Sequence, residues 1–481
     1  MDTTKEESSS NLATLWVIAA VQFLAPFMYS SIGVALPIIG KEFHAGAVQL
    51  GLVTMAYTLG VSLFLLPMGR FADIHGRRKI FTAGALVMTL ATLALAFSPT
   101  VELMIACRLG QGIGAAMITS TSLAILTSVF PAGQRGRAMG IVAACVYLGV
   151  SSGPLLAGFM VEYLSWRWIF YSAAMIAALA FFYALFGLRG EWADSRGERF
   201  DYFGALLYLP ALFVLIVGVL EHQRLPFGYW PAAVGLAGLA LFLIHESRTA
   251  QPMLPVREIL RNRIFFFSNI ATLLNYAASF AVAFFFSIYL QVALGMSPKT
   301  TGLILVVQPL IQAICAPLAG RLTERWPASN LATLGMTFCA SGIAAASFLT
   351  AHSNLWEIFP VLLLMGLGFG FFAAPNNLVI MESVPQREYG MAASVIATMR
   401  TLGMLTSMTI TTVLLQVYLG KRQVGAETVL EFVASQRTAM WVFAGLSVVG
   451  IFFSMRRLTP GKKTIKAEPP LKNSTKKGDA A

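Results

Sequence analysis

Two arginines stand inside long apolar runs of the sequence. Arg108 lies in the run 103–130, and Arg400 lies in the run 391–418. A charge at the centre of a bilayer costs about 2.5–3.5 kcal/mol on insertion scales, so each arginine needs water, polar partners or an anionic ligand. Amides and phenols occupy the middle of other runs: Gln22, Tyr57, Gln111, Tyr147, Asn275, Tyr276, Gln308, Gln312, Asn376 and Asn377. Such a region favours anionic or polar-headed amphiphiles over simple organic cations.

A subset of these side chains forms the candidate ligand-binding or coupling set. Its members are Arg108, Gln111, Arg400, Tyr57, Asn275, Gln308 and Asn376. Taken singly, each amide is better explained as an interhelical hydrogen-bond partner, so only the set is informative. Arg108 also has a structural alternative, in which it snorkels to the outer surface from about 9 Å inside its run, at 1.5 Å per residue.

Carboxylates and histidines, which could carry protons, bind metals or activate a nucleophile, are missing from the middle of the runs. All 22 carboxylates and all five histidines lie in loops or near the ends of runs. The four cysteines have no CxxC or Cys/His spacing, which favours neither disulfides nor a zinc site. A membrane-embedded hydrolase or transferase needs a nucleophile or a metal cluster in its spans. The sequence therefore argues against an enzyme, and we expect no cofactor and no metal.

The elements that hold these side chains are apolar runs long enough to cross a membrane. Of the 481 residues, 57% are apolar and only 12% are charged, whereas soluble domains carry about 25% charged residues. Fourteen runs, among them Val48–Met68 and Met440–Met455, fall into groups of six, two and six. We predict an all-α polytopic membrane protein of two six-helix bundles and two accessory helices. Its parts are an N-terminal tail at 1–11, a bundle at 12–188, charged linkers with the accessory pair at 189–263, a bundle at 264–455 and a basic tail at 456–481.

The distribution of positive charge predicts the orientation of these runs. With the N-terminus in the cytoplasm, 25 of the 34 lysines and arginines fall on the cytoplasmic side and seven on the other. This bias predicts that both termini are cytoplasmic. The first run, 12–39, is far longer than the apolar part of a signal peptide and is expected to stay as a membrane helix. The net charge of +12 thus reflects topology and a tail that can touch anionic lipid headgroups, and it does not indicate a nucleic-acid partner.

A charged motif follows the second run. It reads Gly-Arg-Phe-Ala-Asp-Ile-His-Gly-Arg-Arg-Lys from Gly69 to Lys79. The glycine lets a helix end tightly, the acid can cap or pair across helix ends, and the basic cluster anchors the loop in the cytoplasm. A weaker copy, Gly-Arg-Leu-Thr-Glu-Arg, runs from Gly320 to Arg325 at the equivalent place in the second bundle. This internal repeat is typical of duplicated six-helix bundles, although an ordinary positive-inside loop is the alternative.

A second motif lies in the fifth run. Gly149, Gly153 and Pro154 are followed by Gly158. Glycines at a spacing of four make a smooth packing face, and the proline removes a backbone hydrogen bond and permits a kink.

With these motifs the chain resembles the major facilitator superfamily, and within it the fourteen-span drug:proton antiporter branch. The resemblance rests on Gly69–Lys79, on Arg108–Ala116 and on Gly149–Gly158, and it covers about 12–455. It implies a secondary active transporter, of the multidrug or amphiphile efflux type, that works by alternating access as a monomer in the plasma (inner) membrane. It implies a conformational latch at Gly69, Asp73, Gly76, Arg77 and Arg78, and an antiporter motif at Gly149, Gly153, Pro154 and Gly158. It also links Arg108 to substrate or proton coupling.

One departure from the family leaves the coupling ion open. The branch usually carries an aspartate in the first span, upstream of a Val-Ala-Leu-Pro stretch. Here Val34–Pro37 supplies that stretch, but Met28 occupies the aspartate position. The alternative function is a carrier of organic anions or lipid-like molecules that is not coupled through this carboxylate, and a receptor that does not transport is a further one. Substrate, direction and the role of the accessory pair stay open, although we expect that pair to lie outside the cavity.

Overall fold

The computed structural model describes residues 2–188, 190–221, 228–385 and 388–457, without the side chains of residues 2–11, 132, 133 and 136. Within these ranges the chain is helical and contains no strand. The predicted basic tail beyond residue 457 and the beginning of the eighth apolar run lie outside the described residues.

Seventeen α-helices occupy the described ranges. The first eight are α1 (Asp2–Glu42), α2 (Ala47–His75), α3 (Arg77–Ala96), α4 (Val101–Val129), α5 (Ala132–Tyr163), α6 (Arg167–Phe186), α7 (Tyr202–Leu220) and α8 (Trp230–Glu246). The others are α9 (Val256–Arg261), α10 (Arg263–Ser279), α11 (Val282–Ile288, continued by a π-helix at Tyr289–Ala293), α12 (Pro298–Leu305), α13 (Val307–Leu322), α14 (Ala328–Ala346), α15 (Leu355–Glu382), α16 (Tyr389–Leu419) and α17 (Val429–Arg456).

Two predicted helix ends are wrong. The last helix begins at Val429, eleven residues before Met440. Helix α1 extends through the predicted N-terminal tail from Asp2, and the candidate membrane span within it begins at Leu12. The second helix does not end at Gly69 but continues to His75. The helix ends there because the next residue, Gly76, has a φ of +120°, which is not helical. Glycine can adopt this backbone conformation, whereas a residue with a side chain would be strained in it. The charged motif therefore belongs mostly to the ends of α2 and α3 rather than to a loop.

Two of the predicted spans are broken in the middle, and each break has a local cause. Between α10 and α11, the backbone N–H of Ala281 donates to the Ser407 hydroxyl at 3.0 Å instead of continuing the helical ladder. Between α12 and α13, Pro309 has no N–H to offer the carbonyl four residues earlier, so the ladder is interrupted near Val306.

The described helices include twelve that are long and apolar enough to cross a membrane. They are α1–α7, the composite helices 263–293 and 298–322, α15, α16, and α17 with the short turn before it. Three described helices stand outside this set: the six-residue α9, α8 with 17 residues and α14 with 19 residues. The all-α membrane architecture is confirmed, whereas the count of fourteen spans stays a prediction.

The helices pack as two bundles and a peripheral pair. Helices α1–α6 pack on one another, and so do α10–α17. Helices α7 and α8 pack mainly against each other, and α7 also touches α2 and α16. The Tyr208 hydroxyl of α7 donates to the Ser62 carbonyl of α2 at 2.7 Å, which attaches the pair to the first bundle.

Candidate functional site

A cavity of about 410 Å³ lies between the two bundles. Helices α1, α2, α4 and α5 line it from one side, and α10–α13, α15 and α16 line it from the other. Its larger polar side chains are Gln22, Tyr29, Tyr57, Tyr147, Tyr276, Gln308, Gln312, Asn377 and Arg400. The volume falls within the range of sites for drug-sized ligands, about 300–1,000 Å³.

Arg400 is the charged side chain of this cavity. It is half-buried, and among the described lining residues no Asp, Glu, His or Lys accompanies it. Its electrostatic neighbours are the phenols of Tyr29, Tyr147 and Tyr276, which come from α1, α5 and α10. The arginine thus faces the cavity with neutral hydrogen-bonding groups around it.

Arg108 lies behind the cavity wall rather than in the cavity. Its side chain is fully buried, so the alternative in which it snorkels to the outer surface is wrong. Its Nε donates to the Val53 carbonyl at 3.1 Å, and one terminal nitrogen donates to Gln111 Oε1 at 2.6 Å. The guanidinium also lies 4.8 Å from the ring centroid of Tyr57, which is a cavity residue. Of the surroundings expected for Arg108, which were water, polar partners or an anionic ligand, the structure supplies polar partners: a carbonyl, an amide and an aromatic face.

The position of the missing aspartate belongs to the same buried network. Met28 is fully buried, and its sulfur lies 3.3 Å from Gln111 Nε2. The same amide nitrogen donates to Thr92 Oγ1 at 2.9 Å. Gln111 therefore connects Arg108 to the place where a carboxylate was expected.

Asn376 and Asn275, predicted as ligand-binding residues, also lie outside the cavity lining. Asn376 is buried, and its Nδ2 donates to Thr272 Oγ1 at 2.8 Å. Its Oδ1 accepts from Arg457, which also donates to Ser454 Oγ at 2.7 Å. Arg457 was assigned to the basic tail from the sequence, but its side chain is buried between helices of the second bundle. Of the predicted set, the structure brings only Tyr57, Gln308 and Arg400 to the cavity.

The glycine motif of α5 packs against two different neighbours. A Cβ added at Gly153 would clash with the Ser30 side chain of α1, and a Cβ added at Gly149 would clash with the Phe23 carbonyl oxygen of the same helix. Further along, a Cβ at Gly158 would lie 2.7 Å from the Pro298 carbonyl oxygen of the second bundle. The motif thus serves one contact inside the first bundle and one contact between the bundles.

The bundles are joined at the end of the molecule that carries residues 158–163 and 298–302. There the Lys299 ammonium donates to the Tyr163 hydroxyl at 2.8 Å, and the Ala47 N–H donates to the Arg422 carbonyl at 3.0 Å. Deeper in, Gln291 Nε2 donates to the Val34 carbonyl at 3.0 Å. We call this contact region the seam.

At the opposite end the α2–α3 corner binds the linker that follows α6. Arg77 contacts Asp73 at 2.6 Å and Asp194 of the linker at 2.7 Å. The Arg77 N–H donates to the Trp192 carbonyl at 2.9 Å, and the Ser195 N–H donates to the Asp73 carbonyl at 3.0 Å. The predicted latch residues therefore hold a segment of their own chain, 191–198, which we call the strap.

A family model decides the identity of this architecture. The description of that model is Major Facilitator Superfamily, and it matches residues 18–267 and 268–478. The chain belongs to this superfamily. As a member, it is an integral membrane transporter of small molecules and not an enzyme.

Curated facilitator relatives carry names that refer to transport and resistance. The riboflavin transporter RibZ of Clostridioides difficile is 27% identical, over 94% of this chain and 99% of the relative. The multidrug resistance protein Stp of Mycobacterium tuberculosis is 30% identical, over 77% of this chain and 70% of the relative. The cephamycin export protein CmcT of Amycolatopsis lactamdurans is 32% identical, over 83% of this chain and 84% of the relative.

Solved structures agree with the facilitator fold. A mutant of the peptide transporter POT in complex with sulfate superposes with a TM-score of 0.67 at 16% identity and covers 92% of this chain and 94% of that one. A bacterial homologue of the lysosomal transporter Spinster, in an inward-facing and unoccupied conformation, gives a TM-score of 0.62 at 17% identity, over 94% of this chain and 96% of that one. At such identities the likeness concerns the fold alone.

Some residues of this facilitator's site were missed from the sequence. Tyr29 lines the cavity, and its spacing of seven from Gln22 places both on one face of α1, which is a signal that could have found it. No sequence pattern indicates the binding of the strap or the burial of Arg457, because both depend on contacts between segments far apart in the chain.

Proposed function

We propose that the protein exports small amphipathic molecules by alternating access between its two bundles. One observation carries the proposal: the bundles are joined at the seam while a cavity lined by both lies behind it. Ala143 and Asn377, on the far side of the cavity from the seam, are exposed, so the cavity opens towards the end that holds the strap. A carrier of this kind moves its ligand when the seam separates and the opposite end closes.

The membrane arrangement is part of the proposal. The distribution of positive charge favours a plasma membrane protein with both termini in the cytoplasm, acting as a monomer among membrane lipids. In that orientation the described conformation faces inward. Helices α8 and α14 complete fourteen spans, because each packs against a neighbouring apolar helix. The bundles are 12–188 and 264–455, with the accessory pair in 189–263 packed outside the transport cavity.

A second transport mode competes with the drug:proton antiport that is typical of the branch this chain resembles. Met28 fills the place of the first-helix carboxylate, and no carboxylate occurs among the described cavity residues. These two observations favour a carrier of organic anions or lipid-like molecules with a different coupling. The export of amphiphiles is common to both versions.

Uptake into inverted membrane vesicles, whose cytoplasmic face is on the outside, tests the proposal. The panel contains riboflavin, lincomycin and a cephamycin, after the names of relatives, together with ethidium and other amphiphilic drugs. Thr119→Trp fills the cavity from α4, whereas Ser128→Trp places the same side chain at an exposed position of the same helix. We expect accumulation of at least one compound with the wild type and Ser128→Trp and none with Thr119→Trp. Equal accumulation with both variants, or none with any compound, would contradict the proposal.

A further inference from the structure

The charge of the cavity restricts the class of molecule that it can hold. Arg400 supplies a positive charge that cannot be removed near neutral pH, since guanidinium does not deprotonate in proteins. Its described neighbours in the cavity are phenols and amides, which are neutral. A partly desolvated cation without a carboxylate partner is costly unless an anion pairs with it. The cavity is therefore complementary to a ligand that brings one negative charge.

The walls around Arg400 complete the description of that ligand. Tyr29 of the first bundle packs on Phe280 of the second with ring centroids 5.5 Å apart. Tyr276 and Phe369 form a second aromatic pair at 5.7 Å. All four rings line the cavity, and aromatic walls of this kind accept flat rings by offset or edge contacts. The fit is to an aromatic or fused-ring body that carries a single anionic group.

The other buried arginine of the transport region does not add a second anion site. Arg108 donates to the Val53 carbonyl and to Gln111, and its second terminal nitrogen has no hydrogen-bond partner among the described residues. The whole side chain is buried behind Tyr57 and outside the cavity lining, so a ligand in the cavity does not reach that nitrogen. Its network includes Met28 and Thr92, neither of which can take up or release a proton near neutral pH. Within the described residues, neither the cavity nor this network offers an ordinary site for a coupled proton.

We infer that the cavity selects aromatic amphiphiles with one negative charge, and that the membrane potential, rather than a proton gradient, drives their export. The inference rests on the proposed function and adds its substrate class and driving force. After one full cycle the protein has returned to its starting state, so the net charge moved is that of the ligand alone. One negative charge leaving a cell whose interior is negative gains about 2.3 kcal/mol per 100 mV. That energy supports a concentration ratio of about 50-fold, at 1.4 kcal/mol per factor of ten.

Flux into proteoliposomes tests both parts of the inference. The probes are 2-naphthalenesulfonate and (2-naphthylmethyl)trimethylammonium, which share a ring system and carry permanent charges of opposite sign. Valinomycin and potassium gradients set the potential, and the pH gradient is varied separately. We expect the sulfonate to accumulate in vesicles with a positive interior. A pH gradient imposed at zero potential should not change its accumulation. Accumulation driven by the pH gradient alone, or a preference for the ammonium probe, would overturn the inference and leave the export proposal standing.

Variants at Arg400 tie the selectivity to the proposed contact. Calorimetry on the purified protein should show sulfonate binding at least tenfold weaker in Arg400→Gln and within about threefold of wild type in Arg400→Lys, since lysine also presents a cation. Arg437→Gln is the matched control, because Arg437 is exposed on α17 and remote from the lining. Undiminished binding by a folded Arg400→Gln, or no binding of the sulfonate by the wild type, would overturn the inference. Should Arg400→Gln not fold, the preference of the wild type for the sulfonate over the ammonium probe decides it.

Discussion

Gly158→Val is the sharpest test of the seam between the bundles. A Cβ at Gly158 would lie 2.7 Å from the Pro298 carbonyl oxygen and 3.1 Å from Lys299 Cα. Ordinary van der Waals contact begins near 3.4 Å, and both of these neighbours are backbone atoms that cannot rotate away. The valine therefore has to push α12 away from α5.

The expected size of the effect follows from the cost of overpacking. Added methyl groups in a well-packed contact cost about 1–3 kcal/mol, and only the conformation with a joined seam incurs that cost. At 1.4 kcal/mol per factor of ten, the ratio of joined to separated seam falls by about 5- to 140-fold. The separated state should then gain population by that factor relative to the joined state.

Distances between spin labels report this shift directly. Leu164 and Leu430 are exposed, at 63% and 75% respectively, and lie at the seam end of different bundles. Labels on cysteines at these positions, with the four native cysteines replaced, should show a longer distance in Gly158→Val. Gly140→Val is the matched control on the same helix, because nothing lies within 4 Å of a Cβ at Gly140. Unchanged distances in a folded Gly158→Val, or an equal shift in Gly140→Val, would refute the packing argument.

Three other outcomes can be checked by flux assays and a fourth by cysteine labelling. Asp73→Asn removes one of the two carboxylates that hold the neighbouring arginine, so transport should fall while membrane insertion stays normal; wild-type flux would contradict a latch. Arg108→Ala leaves the buried Gln111 oxygen without its donor, at a cost of about 1–3 kcal/mol, and should abolish flux; a folded and active variant would show that the network is dispensable. Met28→Asp places a carboxylate beside Gln111 and should introduce a pH dependence of flux or a shift towards cations, whereas an unchanged pH profile and charge preference would exclude a latent proton site there. Substrate should not protect a cysteine at Phe213 in α7 from labelling, since α7 lies outside the cavity; protection there would place the accessory pair in the pathway.

The sequence predicts the membrane helices of this protein well, because hydropathy measures the same property that membrane burial requires. It places the ends of these helices less well. The end of α2 is decided by the positive φ of Gly76 rather than by the first glycine of the charged motif. The break after α10 depends on a hydroxyl of Ser407, more than 120 residues away in the chain. A hydrogen bond from a backbone N–H to a side chain far away in the chain leaves no local pattern in the sequence.

The candidate site was predicted in part for the same reason. Depth within a run is readable from the sequence, and Arg400, Tyr57 and Gln308, which were chosen for their depth, all line the cavity. The face on which a residue lies is harder to read when every face of a helix is apolar. Arg108 and Asn376 have the expected depth, but they point into packed helix contacts and not into the cavity.

The strap attaches most of the peptide that joins the two bundles to the first bundle. Residues 191–198 are bound to the α2–α3 corner, and Leu254 donates its N–H to Glu246 at 2.8 Å, so the polypeptide up to that point is secured to the accessory pair and the first bundle. Only the short stretch around α9 is then left to bridge to α10. The covalent connection therefore keeps the two bundles together but does not transmit force from one bundle to the other. Two fragments separated near Pro255 would still contain every contact of the seam, and the energy that governs opening would be the same in the severed molecule as in the intact one.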